Sequence, residues 1–158
     1  MPKEQKKLSP QEILLKIASY CAYQERCHNE VLHKLAEWGV YGQEADQQLL
    51  KLIEQNYVNE ERFAKAYAGG KFRVKHWGRL KIKRELKLRG ISDYCIQLAL
   101  KEIEDNDYQA TLLKLVQDKM ATLKGKHPLE ANRKIYHHVA TKGYEGDLIM
   151  DAIKQVKA

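Results

Sequence analysis

The sequence predicts an all-α protein built from three tandem three-helix repeats in an elongated, curved array. Three observations point there. Apolar residues recur at helical spacing along the chain, and no long Val/Ile/Thr alternation appears. Asn-Gly and Asp-Gly hairpin turns are missing from the sequence. One pattern of apolar residues and a glycine occurs three times, about 50 residues apart.

The first helix is announced by Ser9-Pro10-Gln11-Glu12. Ser9 suits the N-cap, Pro10 the first helical position, and Glu12 can reach back to the Ser9 amide. Ile13, Leu14, Ile17, Ala18 and Cys21 then form one apolar stripe. The repeat follows. Val31, Leu35 and Gly39 precede Ala45 and Leu49. Ile82, Leu86 and Gly90 precede Ile96 and Leu100 at the same offsets, and Ile135, Val139 and Gly143 precede Ile149 and Ile153. Each time an apolar pair one turn apart leads to a glycine one turn later, where a helix ends on a left-handed residue. A polar residue such as Ser92 then caps the next helix. A further helix stands before each set, over 10–25, 59–74 and 107–123. The expected units are 1–56 with an N-terminal tail, 57–105 and 106–158, joined at Gln55-Asn56 and Asp105-Asn106-Asp107. Three short helices bury little surface alone, so adjacent units are expected to share contacts, and repeat architecture implies the curvature.

Composition narrows the function. The 158 residues carry 28 Lys and Arg against 21 Asp and Glu, a net charge of +7. No apolar run approaches the about 20 residues of a membrane span. The opening MPKEQKK has no apolar region behind it, so no secretory signal is expected. Cys21, Cys27 and Cys95 are odd in number and form no CxxC, which points to a reducing, cytoplasmic setting rather than a disulfide scaffold or zinc ribbon.

The charge is concentrated. Lys71 to Arg89 holds nine lysines and arginines and one acid, Glu85, a net +8, so the rest of the chain sums to −1. Within the helix expected over Arg79–Arg89, Ile82 and Leu86 define the buried face, and Lys83, Arg84 and Lys87 project together into solvent. Lys71, Arg73 and Lys75 end the preceding helix. His76-Trp77-Gly78 makes the corner, where Gly78 serves as an N-cap or admits a ligand close to the backbone. Trp77 either stacks on a base or fills the gap between two helices. With one acid among nine bases, like charges repel by some tenths of a kcal/mol per pair. An anionic partner, a polyanion or an acidic protein surface, would offset that repulsion. The candidate binding residues are Lys71, Arg73, Lys75, Trp77, Arg79, Lys81, Lys83, Arg84, Lys87 and Arg89. No base-reading element is evident, so any nucleic-acid contact is expected through the backbone. Lys3, Lys6 and Lys7 form a basic tail that either helps binding or is disordered.

Catalytic signals are not found. Ala68-Gly69-Gly70-Lys71 lacks both the spacing and the preceding strand of a phosphate loop. The histidines form no HExxH; His28 and His33 are five apart, and His137 and His138 point in different directions on a helix. No GxSxG elbow exists. The reading is no enzyme, no cofactor and no metal.

Asn59-Glu60-Glu61-Arg62-Phe63-Ala64, Tyr67, Lys75-His76-Trp77-Gly78, Ile82, Glu85-Leu86 and Lys87-Leu88-Arg89-Gly90-Ile91 together resemble the central signature of the RecX family. Glu30-Val31 and Lys34-Leu35 resemble its earlier E-L-x-x-K-L. The family often has proline directly after the turn glycine, where this chain has Arg79, and a serine cap where this chain has Cys27. The third unit matches less closely. Nothing in the sequence demands more than a monomer. The resemblance implies a regulator that binds the RecA recombinase as its filament on single-stranded DNA. It would modulate, usually by inhibition, RecA's ATPase and strand exchange in repair, recombination and the SOS response, with no catalysis of its own. A sequence-nonspecific nucleic-acid-binding helical module without a recombinase partner is the alternative.

Overall fold

The computed structural model describes residues 7–157. Among them the chain forms nine α-helices and no strand: α1 Pro10–Tyr23, α2 His28–Glu37, α3 Gly42–Glu54, α4 Glu60–Lys75, α5 Arg79–Leu88, α6 Asp93–Lys101, α7 Asp105–Ala121, α8 Pro128–Thr141 and α9 Gly146–Lys157. The chain divides into two compact units, 1–63 and 64–158. Of the N-terminal lysines, Lys3 and Lys6 lie outside the described residues, and Lys7 is exposed.

In the first unit, α1, α2 and α3 pack pairwise. Their core is Ile13, Ile17, Cys21, Val31, Leu35, Val40, Ala45, Leu52 and Val58, flanked by half-buried Leu14, Tyr20, Trp38 and Leu49. The Ser9 hydroxyl accepts from the Glu12 amide at 3.2 Å, as its place before Pro10 implies. Cys27 caps α2 with help from Glu30, whose carboxylate accepts from the Cys27 amide at 3.3 Å and from its thiol at 3.2 Å. The acid three residues on thus satisfies an amide that a serine cap would leave to the same partner. Burial pushes the Cys21 thiol up to about 11. The α3–α4 turn is held by Arg62, whose guanidinium donates to Glu25 and to the carbonyls of Asn56 and Tyr57, while the Asn59 side chain accepts from the Arg62 amide at 2.9 Å.

The three glycines of the repeat adopt the left-handed conformation, with φ of +77° at Gly39, +76° at Gly90 and +103° at Gly143. After the first two, the helix closes in a Schellman motif. Val40 donates back to the Leu35 carbonyl at 2.9 Å and Ile91 to that of Leu86 at 3.1 Å, with both apolar residues buried. The apolar pairs before the glycines are all buried. The pairs after them are so only in part. Ala45, Ile96, Ile149 and Ile153 are buried as expected, but Leu49 and Leu100 are only half-buried. Leu52, Ala99 and Ile103 turn inward instead, together with Gln48, which donates to the Pro10 carbonyl at 3.0 Å. On α3 the buried stripe thus falls at i+3 and i+7 from Ala45, where Gln48 finds its carbonyl partner.

In the second unit, α5 packs on α6, and α7, α8 and α9 pack pairwise. Ala68-Gly69-Gly70-Lys71 is part of the continuous helix α4. The structure brings the α8–α9 turn onto the start of α5. Gly78 donates to the Lys142 carbonyl at 2.8 Å and Leu80 to the Gly143 carbonyl at 2.9 Å. The backbones approach so closely that a Cβ on Gly78 would fall 2.4 Å from the Gly143 carbonyl, and one on Gly143 would fall 2.3 Å from the Lys81 Cβ. Gly78 therefore does admit a close approach, by a turn of the same chain.

Gly39 and Gly143 hold the same place in the repeat but have different surroundings, since a Cβ on Gly39 meets nothing within 4 Å. Gly39→Ala should cost about 1–2 kcal/mol for the left-handed backbone alone. Gly143→Ala should cost at least about 2 kcal/mol more, because backbone and side chain of α5 must shift. Urea unfolding of the two variants, monitored by circular dichroism, measures the difference.

Candidate functional site

The basic stretch occupies the end of α4, the corner at 76–78 and α5. Helix α4 closes on His76, a non-glycine residue at φ +57°, and Trp77 donates to the Lys71 carbonyl at 3.2 Å. The Tyr144 hydroxyl donates to the His76 carbonyl at 2.9 Å and holds the corner from below. The start of α5 carries no acid in its first turn. Its free amides are nonetheless satisfied: besides Gly78 and Leu80, the Arg79 amide donates to the Tyr108 hydroxyl at 3.0 Å. A proline at position 79 would lack that donor. Three consecutive amides of this helix end are thus taken up within the chain.

The ten candidate residues separate into three groups. Arg79 turns inward. Its guanidinium lies 3.9 Å from the centre of the Tyr108 ring and pairs with Asp105 at 2.7 Å and Glu145 at 3.4 Å. The Tyr108 hydroxyl in turn donates to Glu145. Burial, with Glu145 as its acceptor, pushes the Tyr108 phenol far above the ordinary tyrosine range. Tyr108 stacks on Tyr144 at 5.0 Å and lies 5.9 Å from Phe72. Arg79 was expected on the open ridge. Carboxylates 26 and 66 residues downstream neutralise it instead.

A second group rests on two aromatic rings. Trp77 is half-buried and meets Tyr67 edge-on at 6.3 Å. Lys71 lies 4.9 Å from the Trp77 ring centre and 5.4 Å from that of Tyr67; Lys81 is 4.5 Å from Trp77, and Arg89 is 4.7 Å from Tyr67. Arg89 also donates to the Glu85 carboxylate at 3.3 Å. Trp77 therefore fills the space between α4 and α5 and carries two ammonium groups. Each such contact contributes about 0.5–1 kcal/mol at a partly exposed site.

The third group faces solvent. Arg73 and Lys75 are exposed at the end of α4, with the Arg73 guanidinium folded back over Gly69. On α5, half-buried Lys83 and exposed Arg84 and Lys87 line, with Leu80 and Leu88, a shallow hollow of about 350 Å³. Leu80 is 53% and Leu88 72% exposed, so this face is a row of cations with an exposed leucine at each end. Lys87 makes a loose pair with Asp93 at 3.7 Å, with both side chains mostly in water.

A further basic cluster escaped the sequence reading. Between α7 and α8 lies a hollow of about 710 Å³ lined by Lys119, Arg133, Lys134, His137, His138 and Lys142. His137 and His138, expected to point apart, both border it. The spacing of Arg133 with His137, and of Lys134 with His138, one turn apart on α8, was legible in the sequence; the approach of Lys119 from α7 was not. Burial, then Lys119 and Lys142, lower the His138 pKa below the usual imidazole range. Among the described residues, no three His, Cys, Asp or Glu side chains gather as a metal cage would, and no helix is long and apolar enough to cross a membrane.

Residues 59–100 match the family model of the second three-helix domain of RecX. The chain is 27% identical over 138 residues to the regulatory protein RecX of Lactobacillus johnsonii, covering 85% of this chain and 51% of that protein. It is 29% identical over 130 residues to the regulatory protein RecX of Lactobacillus gasseri, covering 82% and 48%, and 26% identical over 147 residues to that of Bacillus cereus, covering 93% and 54%. The chain thus spans about half the length of the curated relatives it matches. The crystal structure of RecX from Lactobacillus salivarius superposes with a TM-score of 0.84 at 22% identity, over 94% of this chain and 96% of that one. A second solved structure, of a regulatory protein RecX, gives 0.80 at 21%, over 92% and 73%.

Arg79 and Arg84 make a matched test of structural against presented charge. Arg79→Gln leaves half-buried Glu145 with the Tyr108 hydroxyl but without its cation, and should lower stability by about 1–3 kcal/mol. Arg84→Gln, exposed on α5, should stay within about 0.5 kcal/mol. Thermal melting of both variants gives the comparison.

Proposed function

We propose that the chain, which matches the second three-helix domain of RecX over 59–100 and is similar to RecX regulatory proteins over most of its length, is a regulator that binds the RecA filament on single-stranded DNA. By this reading it acts in the cytoplasm as a monomer, lowers RecA's ATPase and strand exchange, and performs no chemistry itself. The three helical trios, 1–56, 57–105 and 106–158, act as successive modules of one binding protein. The reading is carried by one observation: the residues that match the family's second three-helix domain, 59–100, are those that build the cationic α4–α5 surface.

Within that surface the solvent-facing bases make the contact. Lys83, Arg84 and Lys87, with exposed Leu80 and Leu88 at either end of the row, suit an acidic protein surface that also offers apolar contacts, since protein interfaces combine both. Arg73 and Lys75 extend the cationic edge. Lys71, Trp77, Arg79, Lys81 and Arg89 shape the surface from beneath, through the two rings and the Asp105–Glu145 pair.

The test is a titration of RecA's DNA-dependent ATPase with this protein. The unmodified chain should inhibit at micromolar concentration or below. The triple variant Lys83→Glu, Arg84→Glu, Lys87→Glu should need roughly tenfold more, about 1.4 kcal/mol of lost binding. No effect of the unmodified chain would leave a nucleic-acid-binding module without a recombinase partner. Equal inhibition by both versions would move the contact off α5.

A further inference from the structure

The hollow between α7 and α8 differs in kind from the α5 surface. Its wall carries four fixed positive charges, from Lys119, Arg133, Lys134 and Lys142, and two imidazoles, and no carboxylate lines it. Of these six residues, Lys134 alone forms an ion pair among the described residues, with Glu130 at 3.3 Å. None of the large exposed apolar side chains lines it, and the apolar surface it does show belongs to the stems of its own cations, the imidazoles and Thr141, whereas Leu80 and Leu88 stand exposed at the two ends of the α5 hollow. Protein partners bring apolar atoms to the middle of an interface; phosphates require only charge and donors. The cationic field is already felt inside the hollow, where Lys119 and Lys142 add to burial in making His138 harder to protonate. An anion placed there would relieve the mutual repulsion of its lining. The site is also anchored: the Lys142 carbonyl accepts from Gly78, so the residue that closes the hollow is tied to the start of α5.

We propose that the α7–α8 hollow binds the phosphodiester backbone of single-stranded nucleic acid without regard to sequence. This rests on the reading above only in that the protein works on a nucleic-acid-bound filament. It divides the labour, with α8 meeting phosphate and α5 meeting protein.

The experiment measures binding of a fluorescent oligothymidylate to the full chain over a range of salt, with no recombinase present. Each phosphate neutralised on a single strand contributes about 0.7 to the log–log salt slope. The variant Lys119→Gln, Arg133→Gln, Lys142→Gln should therefore lose about 2 from the slope, and its Kd near 0.1 M salt should rise at least about tenfold. The charge-keeping variant Lys119→Arg, Arg133→Lys, Lys142→Arg should bind as the unmodified chain does. If the glutamine variant loses helicity, Arg133→Gln alone, at an exposed position, should still lower the slope by about 0.7. An unchanged slope and Kd would overturn the proposal. So would loss of oligonucleotide binding only in the α5 variant, or an α8 variant that keeps oligonucleotide binding but no longer affects RecA. A lowered slope together with an inert effect on RecA would uphold this site while removing the proposed function.

Discussion

The second unit depends on a backbone contact between two glycines. Gly78 and Gly143 approach so closely that neither tolerates a Cβ, and the turn after α8 supplies the carbonyls that satisfy the first amides of α5. Helix starts leave about four amides unsatisfied, and in many proteins those amides become an anion site. Here three consecutive donors, on Gly78, Arg79 and Leu80, are consumed by Lys142, Tyr108 and Gly143. Those three amides are closed to any anion that α5 meets. The same contact sets the orientation of α5, and with it the direction in which Lys83, Arg84 and Lys87 project.

Around that contact the positive charge is sorted by physical circumstance. Where a cation meets a buried ring and acids from distant segments, as Arg79 meets Tyr108, Asp105 and Glu145, it is neutralised within the fold, and its removal takes the counterion from half-buried Glu145. Where it lies across a ring, as Lys71 and Lys81 lie over Trp77, its stem and its head both contribute to packing. Where neither is at hand, the charge is left to water and to whatever comes through water. A net +8 over nineteen residues thus resolves into a cationic scaffold and a smaller cationic surface.

The helical frame was legible because its determinants are local. Ser9 before Pro10, the apolar pair Ile82 and Leu86, and the glycine at 39, 90 and 143 act within one or two turns, and the structure places them as the spacing implies. The fate of individual charges was not legible, because their partners are distant in the chain. Asp105 and Glu145 lie 26 and 66 residues beyond Arg79, and nothing in the local sequence marks them as its counterions. Leu49 and Leu100 show a subtler limit. Periodicity identifies an amphipathic helix, but the angle at which it presents its stripe is settled by the neighbour, as Gln48 shows in reaching the Pro10 carbonyl. The α8 cluster combines both cases, with a readable stripe on one helix and an unreadable contribution from another.

The seam at Gly78 and Gly143 also bears on how the chain can be dissected. A fragment cut after α6 would retain every residue that matches the family's central domain, yet it would expose three amides of α5, unseat Arg79 from both acids and leave Phe72 without Tyr108. Any piece that keeps these contacts of α5 must run on through the α8–α9 turn, and the modular look of the sequence overstates how far its modules can be separated.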